Sequence, residues 1–126
     1  MKLIGESAFT ETAIENITIP KHAEKICKRA FYNCKHLKQV DFSNNSELTA
    51  IGENAFSFTS IKDILIYLQF QIEREAFAYC EQLQEINFQC NSQLKFINEK
   101  AFSKALLKKI YPPNDFVSIS ENVFSD

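Results

Sequence analysis

Glycine is nearly missing from this chain: Gly5 and Gly52 are the only two in 126 residues, where an average domain would hold about 7%. Tryptophan is absent, methionine occurs once and proline three times. A fold assembled from many glycine turns is therefore not expected. No run approaches the roughly 18 consecutive apolar residues of a transmembrane helix, so direct membrane insertion is not expected. After Met1 and Lys2 the stretch Leu3-Ile4-Gly5-Glu6 meets a carboxylate too early for a secretory h-region, and the chain as given shows no targeting signal or membrane anchor. Neither charge sign dominates: 14 Lys and Arg face 16 Asp and Glu, for a net charge of -2. That balance carries no electrostatic footprint for nucleic acid or an anionic membrane. With 45% hydrophobic and 24% charged residues, the chain has the composition of one soluble globular domain spanning 1–126.

Phenylalanine is plentiful, with twelve copies, and it measures out a repeat. Ala-Phe stands at Ala8-Phe9, Ala30-Phe31, Ala55-Phe56, Ala76-Phe77 and Ala101-Phe102, with Val123-Phe124 as a sixth, altered copy. The intervals are 22, 25, 21, 25 and 22 residues. Five positions before each Phe stands an isoleucine: Ile4, Ile26, Ile51, Ile72, Ile97 and Ile119. With 14 Ile in the chain, six such coincidences have chance odds of about two in a million. Downstream of the Phe, a long form runs Leu37, Val40, Phe42, Asn45, Leu48, Ile51 and returns as Leu83, Ile86, Phe88, Asn91, Leu94, Ile97. A short form runs Ile14, Ile17, Ile19, Pro20, then Ile61, Ile64, Ile66, Tyr67, then Leu107, Ile110, Pro112, Pro113. The two forms alternate, which accounts for the alternating intervals.

A unit of 20 to 29 residues with L-x-x-L-x-L spacing is the mark of a leucine-rich repeat. Inward residues such as Val40 and Phe42, or Ile64 and Ile66, alternate with period two, as in a strand buried on one face. The expected fold is an α/β-type repeat solenoid of about five and a half right-handed coils. It has a short-stranded parallel sheet on its concave face and short helical, 3₁₀ or extended segments on its convex face. The ladder Phe rings should stack offset from coil to coil. Asn45 and Asn91 fall where a side-chain amide can satisfy backbone groups at a corner.

The phrases Ile51-Gly52-Glu53-Asn54-Ala55-Phe56, Ile4-Gly5-Glu6-Ser7-Ala8-Phe9, Ala30-Phe31-Tyr32-Asn33-Cys34-Lys35-His36-Leu37 and Ile17-Thr18-Ile19-Pro20 resemble the BspA-like leucine-rich repeats, from about Leu3 to Asp126. The alternation of I-x-I-P with V-x-F-x-x-N units looks most like versions found in flagellate protist parasites. The resemblance implies a surface antigen that adheres to extracellular-matrix proteins, host cells or other microbes, at the cell surface or secreted. Tyr67 departs from the proline of the pattern, and Cys follows the Phe in only two of six units.

Chemistry finds little support. His22 and His36 neighbour no recognisable nucleophile, and no phosphate loop, dinucleotide fingerprint or zinc-protease motif occurs. Cys27, Cys34 and His36 fit no common zinc spacing. The expectation is a protein without catalysis, metal or cofactor. Cys34 and Cys80 share a column two repeats apart, about 10 Å at one coil per 4.8 Å, too far for a disulfide. They should be buried free thiols, a state that suits an intracellular scaffold or a purely structural array as the alternative reading. If the chain is secreted, Asn44, at a corner, is the reasonable sequon acceptor.

A partner would meet the outward strand residues. The central column is Thr18, Asp41, Leu65, Asn87 and Tyr111. Asn16, Gln39, Asp63, Glu85 and Lys109 flank it on one side, and Pro20, Ser43, Tyr67, Gln89 and Pro113 on the other. Leu65, Tyr67 and Tyr111 are the expected anchors for a protein ligand, because exposed apolar and aromatic groups amid polar ones mark interfaces. The chain starts inside a repeat and stops two residues past the sixth Phe. Without polar caps, the expectation is end-to-end self-association or membership of a longer array.

Overall fold

The computed structural model describes residues 3–89, 92–107, 110–113 and 117–125. Its strands are all short and all parallel. Six two-residue strands carry the ladder Ile: β1 (Leu3–Ile4), β3 (Lys25–Ile26), β5 (Ala50–Ile51), β7 (Gln71–Ile72), β9 (Phe96–Ile97) and β10 (Ser118–Ile119). They form one continuous sheet in that order, with Ile4, Ile26, Ile51, Ile72, Ile97 and Ile119 in register. Four longer strands, β2 (Asn16–Ile19), β4 (Gln39–Phe42), β6 (Asp63–Ile66) and β8 (Glu85–Phe88), lie on a second face. Their inward side chains are buried, as at Ile19, Val40, Ile64 and Ile86, or half-buried, as at Ile17 and Phe88, while Thr18, Asp41, Leu65 and Asn87 are exposed. Period-two patterning thus becomes one dry and one wet face.

The chain is a parallel-strand β-solenoid of the leucine-rich-repeat kind, and of the helical, 3₁₀ or extended segments expected on its convex face the helical and 3₁₀ ones are not found. Among the described residues there is no helix. The reason lies in the backbone on either side of each ladder Phe. Ser7 and Glu11, Arg29 and Asn33, Asn54 and Phe58, Glu75 and Tyr79, and Lys100 and Lys104 all have φ between 56° and 63°. These stand two residues before and two after Phe9, Phe31, Phe56, Phe77 and Phe102. A left-handed residue at every such position interrupts any run of right-handed helix.

Every second N–H is thereby turned toward the next coil. Phe9, Phe31, Phe56 and Phe77 donate to the carbonyls of Ala30, Ala55, Ala76 and Ala101 at 2.8 Å, and Phe102 donates to Val123 at 2.9 Å. The left-handed residues donate in the same direction, for example Arg29 to Glu53 at 3.0 Å and Asn33 to Ser57 at 2.8 Å. The intervening N–H groups close turns three residues back, as Ala30 to Cys27 at 3.1 Å and Tyr32 to Arg29 at 3.1 Å. The convex side is therefore a third inter-coil ladder built from turns. Left-handed geometry costs about 1–2 kcal/mol for an L-residue, and it survives here because both neighbouring coils hold the peptide units on either side.

The aromatic ladder follows the backbone. Phe9, Phe31, Phe56, Phe77 and Phe102 stack at centroid distances of 5.2, 5.1, 5.3 and 5.5 Å, and Phe124 closes the column at 6.1 Å. Phe31, Phe56, Phe77 and Phe102 are wholly buried. The neighbouring Ala30, Ala55, Ala76 and Ala101 are buried as well, and their small side chains allow this approach. Each fully buried Phe contributes on the order of 1.5–3 kcal/mol through burial, with roughly 0.5–1.5 more from ring pairing.

Cys34 and Cys80 are free and buried, as their column spacing requires. Each thiol donates to the carbonyl of the previous coil's ladder Phe, Cys34 to Phe9 and Cys80 to Phe56, both at 2.9 Å. Threonine occupies the same column in the previous coil, with Thr59 Oγ1 at 3.2 Å from Cys80 Sγ and Thr12 Oγ1 at 3.5 Å from Cys34 Sγ. Burial pushes the Cys80 thiol up to about 11, despite the opposing hydrogen bonds from Thr59 and the backbone.

The expected asparagine corner is corrected too. Asn45 is exposed and contributes a left-handed backbone, φ 56°, while the corner is satisfied by its neighbour. Ser46 is wholly buried and its Oγ accepts from Leu48 N at 3.1 Å. The corresponding Ser92 donates from Oγ to Ile66 O at 3.2 Å and accepts from Leu68 N at 3.4 Å. A hydroxyl, which both donates and accepts, fits a corner too tight for an amide. Asn91 and Cys90 lie outside the described residues.

The two glycines, alike in sequence, differ in space. A Cβ on Gly52 would sit 2.6 Å from Ile26 O and 2.8 Å from Cys27 C, whereas one on Gly5 meets nothing within 4 Å. Gly52→Ala is expected to destabilise the fold by about 1–3 kcal/mol and Gly5→Ala to change it little, measured by urea unfolding. The Cys80 thiol keeps its proton in the fold to about pH 11, whereas the unfolded thiol ionises near 9.0. Its contribution to stability is therefore full below about pH 9 and is lost as pH rises toward 11. Unfolding midpoints should accordingly fall more steeply across that window for the native chain than for Cys80→Ser, and equal slopes would refute the assignment.

Candidate functional site

The strand face positions the exposed residues through register. Asn16 lies beside Gln39 and Thr18 beside Asp41 across β2 and β4, while Asp63 lies beside Glu85 and Leu65 beside Asn87 across β6 and β8. All eight are exposed. The face is acidic and polar, with Leu65, 52% exposed, as its apolar point. Gln39 Nε2 donates to Asp41 Oδ2 at 2.9 Å, orienting one carboxylate.

Two of the expected anchors fall elsewhere. Tyr67 is buried, with 8% of its surface accessible. β6 ends at Ile66, so strand alternation no longer governs the next side chain, and the four-residue corner to β7 turns it inward. Tyr111 is 71% exposed but belongs to no strand, so it does not extend the strand grid. Lys109 lies outside the described residues. Pro20 is exposed, whereas Ser43, Gln89 and Pro113 are half-buried. The outer column runs along the corner that follows the strands.

The strand face is also split. β2 pairs with β4 and β6 with β8, but no ladder joins β4 to β6. The coils stay tied at both ends of the split: Ser60 N donates to Leu37 O at 3.0 Å and Ser60 Oγ to Lys35 O at 2.6 Å. At the far end Gln69 N donates to Leu48 O at 2.9 Å. Between these ties opens a groove of about 680 Å³. Lys38, Asp41 and Gln39 line it from the β4 side, Lys62, Asp63 and Leu65 from the β6 side. Its size lies within the usual range for ligand sites, about 300–1,000 Å³. A smaller groove of about 190 Å³ continues past Ser60 and Gln82, which line both, to Phe58 and Tyr79. Those two rings stack at 4.6 Å and are 38% and 40% exposed.

Lys38, Lys62, Ser60 and Gln82 escaped the sequence reading because they precede the alternating stretch. A signal was nevertheless present. The return from ladder Ile to the next inward residue spans ten positions at Ile4 to Ile14 and Ile51 to Ile61, but eleven at Ile26 to Leu37 and Ile72 to Leu83. Each paired set of strands follows a ten-position and then an eleven-position return. The split falls where eleven is followed by ten.

Stacked parallel coils, a buried Phe column and an exposed strand face define a leucine-rich-repeat protein. Residues 2–126 match the BspA type Leucine rich repeat region in six copies, and the chain belongs to that family. No curated protein matches it. Among solved structures it resembles a leucine-rich repeat protein from Bacteroides ovatus, at 26% identity and TM-score 0.79, over 99% of this chain and 32% of that one. It also resembles the pneumococcal vaccine antigen PcpA, at 27% identity and TM-score 0.73, over 82% of this chain and 28% of that one. A leucine-rich cell surface protein from Faecalibacterium prausnitzii matches at 25% identity and TM-score 0.50, over 91% of this chain and 37% of that one. The chain thus spans about a third of the length of these structures. The family is related to surface antigens, and no helix among the described residues is long and apolar enough to cross a membrane.

The contrast between Tyr67 and Leu65 is directly testable. Tyr67→Ala should destabilise the fold by about 3 kcal/mol, as truncation of a buried aromatic does, and Leu65→Ala by less than about 0.5. Thermal unfolding of the two variants separates them.

Proposed function

We propose that this chain is a non-catalytic protein-binding module of a BspA-like surface antigen, and that it engages a host or matrix protein, or another cell, through its strand face. The observation that carries this reading is the exposed array of Thr18, Asp41, Asp63, Leu65, Glu85 and Asn87, held in two registered strand pairs on a stacked frame. Repeat solenoids recognise partners through such extended faces, and a rigid frame leaves little conformational entropy to lose on binding. Acidic and amide groups around one apolar side chain suit a partner surface that is basic at its rim and apolar at its centre.

The two buried thiols do not oppose a surface location. Cys34 and Cys80 are wholly buried, and the raised pKa of Cys80 keeps it in the unreactive thiol form. An intracellular scaffold is therefore not required to explain them.

The test is binding of the purified chain to immobilised matrix proteins and to intact cells. Replacing Asp41, Leu65 and Asn87 together by Ala should reduce binding by at least about tenfold while leaving the unfolding temperature nearly unchanged. Binding that survives the triple substitution would remove the strand face from the proposal.

A further inference from the structure

The split between β4 and β6 is the one place on the strand face, among the described residues, where neighbouring strands are not joined by a ladder. Its walls carry opposite charges that do not neutralise one another: among the described residues no ion pair engages Lys38, Lys62, Asp41 or Asp63. The charges are also ordered along the chain direction. Lys38 and Lys62 precede the strands; Asp41 stands three positions after Lys38 on the β4 wall, whereas Asp63 directly follows Lys62 on the β6 wall. Three positions of extended chain separate Lys38 from Asp41, about 10 Å at roughly 3.3 Å per residue.

We infer that this groove is a subsite for an extended peptide segment of the partner protein, one carrying an acidic and a basic residue about three positions apart. The acidic side chain meets Lys38 and Lys62, and the basic one meets Asp41. The volume of about 680 Å³ admits a short segment and not a folded domain. A simple anion would be opposed by the two aspartates and a simple cation by the two lysines, so a segment bearing both signs is the complementary occupant. This inference rests on the protein-binding reading above and narrows it to one groove.

The experiment is selection of a displayed library of random peptides, roughly nine residues long so as to cross the groove, on the intact chain. Enriched peptides are then measured against Lys38→Glu/Lys62→Glu and against Asp41→Lys. The expected result is that enriched peptides share an acidic and a basic residue about three positions apart and lose at least about tenfold affinity for either variant. Peptides with the matching charge reversed should recover binding to the corresponding variant. That recovery requires a folded groove, so it separates lost complementarity from lost structure. No enrichment, enrichment without the charge pair, or affinities that the reversals leave unchanged would each overturn the subsite. If peptides obey the pattern but the chain binds neither matrix nor cells, the groove stands and the adhesive reading falls. If adhesion needs Asn87 and Thr18 but ignores Lys38 and Lys62, the adhesive reading stands and the groove falls.

Discussion

Each coil of this protein hands part of its backbone hydrogen bonding to the next, and the rest of the structure depends on that transfer. The Ile sheet does it on one side, the paired long strands on another, and the turn ladder around the Phe column on the third. A buried N–H left unpaired costs as much as a lost hydrogen bond or more, so a coil is stable only when its neighbour presents a carbonyl at the right height. The repeated 2.8 Å bond from a ladder Phe to the next coil's Ala sets that height. Ring stacking between 5.1 and 5.5 Å along the inner coils follows from it.

The scarcity of glycine takes its meaning from the same constraint. Ten residues around the first five ladder Phe and Asn45 at a corner have positive φ, and none is glycine. The strain is tolerated because inter-coil bonds fix the peptides, and the side chains retained there are put to use. Phe58 and Tyr79 stack on one another, Arg29 lies 5.1 Å above the Tyr32 ring, and Asn54 donates to Glu75 of the next coil at 3.2 Å. A glycine at these positions would relieve the backbone and lose these contacts. Gly52 is kept for the opposite reason, since its φ is ordinary and what it needs is the absence of a Cβ.

The strand face shows where such a frame leaves room for recognition. Because the Ile sheet and the Phe column already tie every coil, the long strands need not pair continuously. The parting of β4 from β6 coincides with a return one residue shorter, and the opening collects charges from both walls. The opening thus lies where the repeat is least regular, while the most regular columns are buried.

The period, the ladder residues, the inward and outward parity of the long strands and the free state of Cys34 and Cys80 were all determined by the sequence alone. They follow from burial at fixed spacing, which one chain records in its apolar residues. Parity failed at Tyr67 because it holds only while the strand lasts, and at Asn45 because the neighbouring Ser46 is the residue small enough to enter the corner. Only the tertiary structure decided the left-handed turns in place of helix, the different roles of Gly5 and Gly52, and the groove between β4 and β6. Each of these depends on the distance between one coil and the next, and coils 21 to 25 residues apart in sequence set that distance only once they stack.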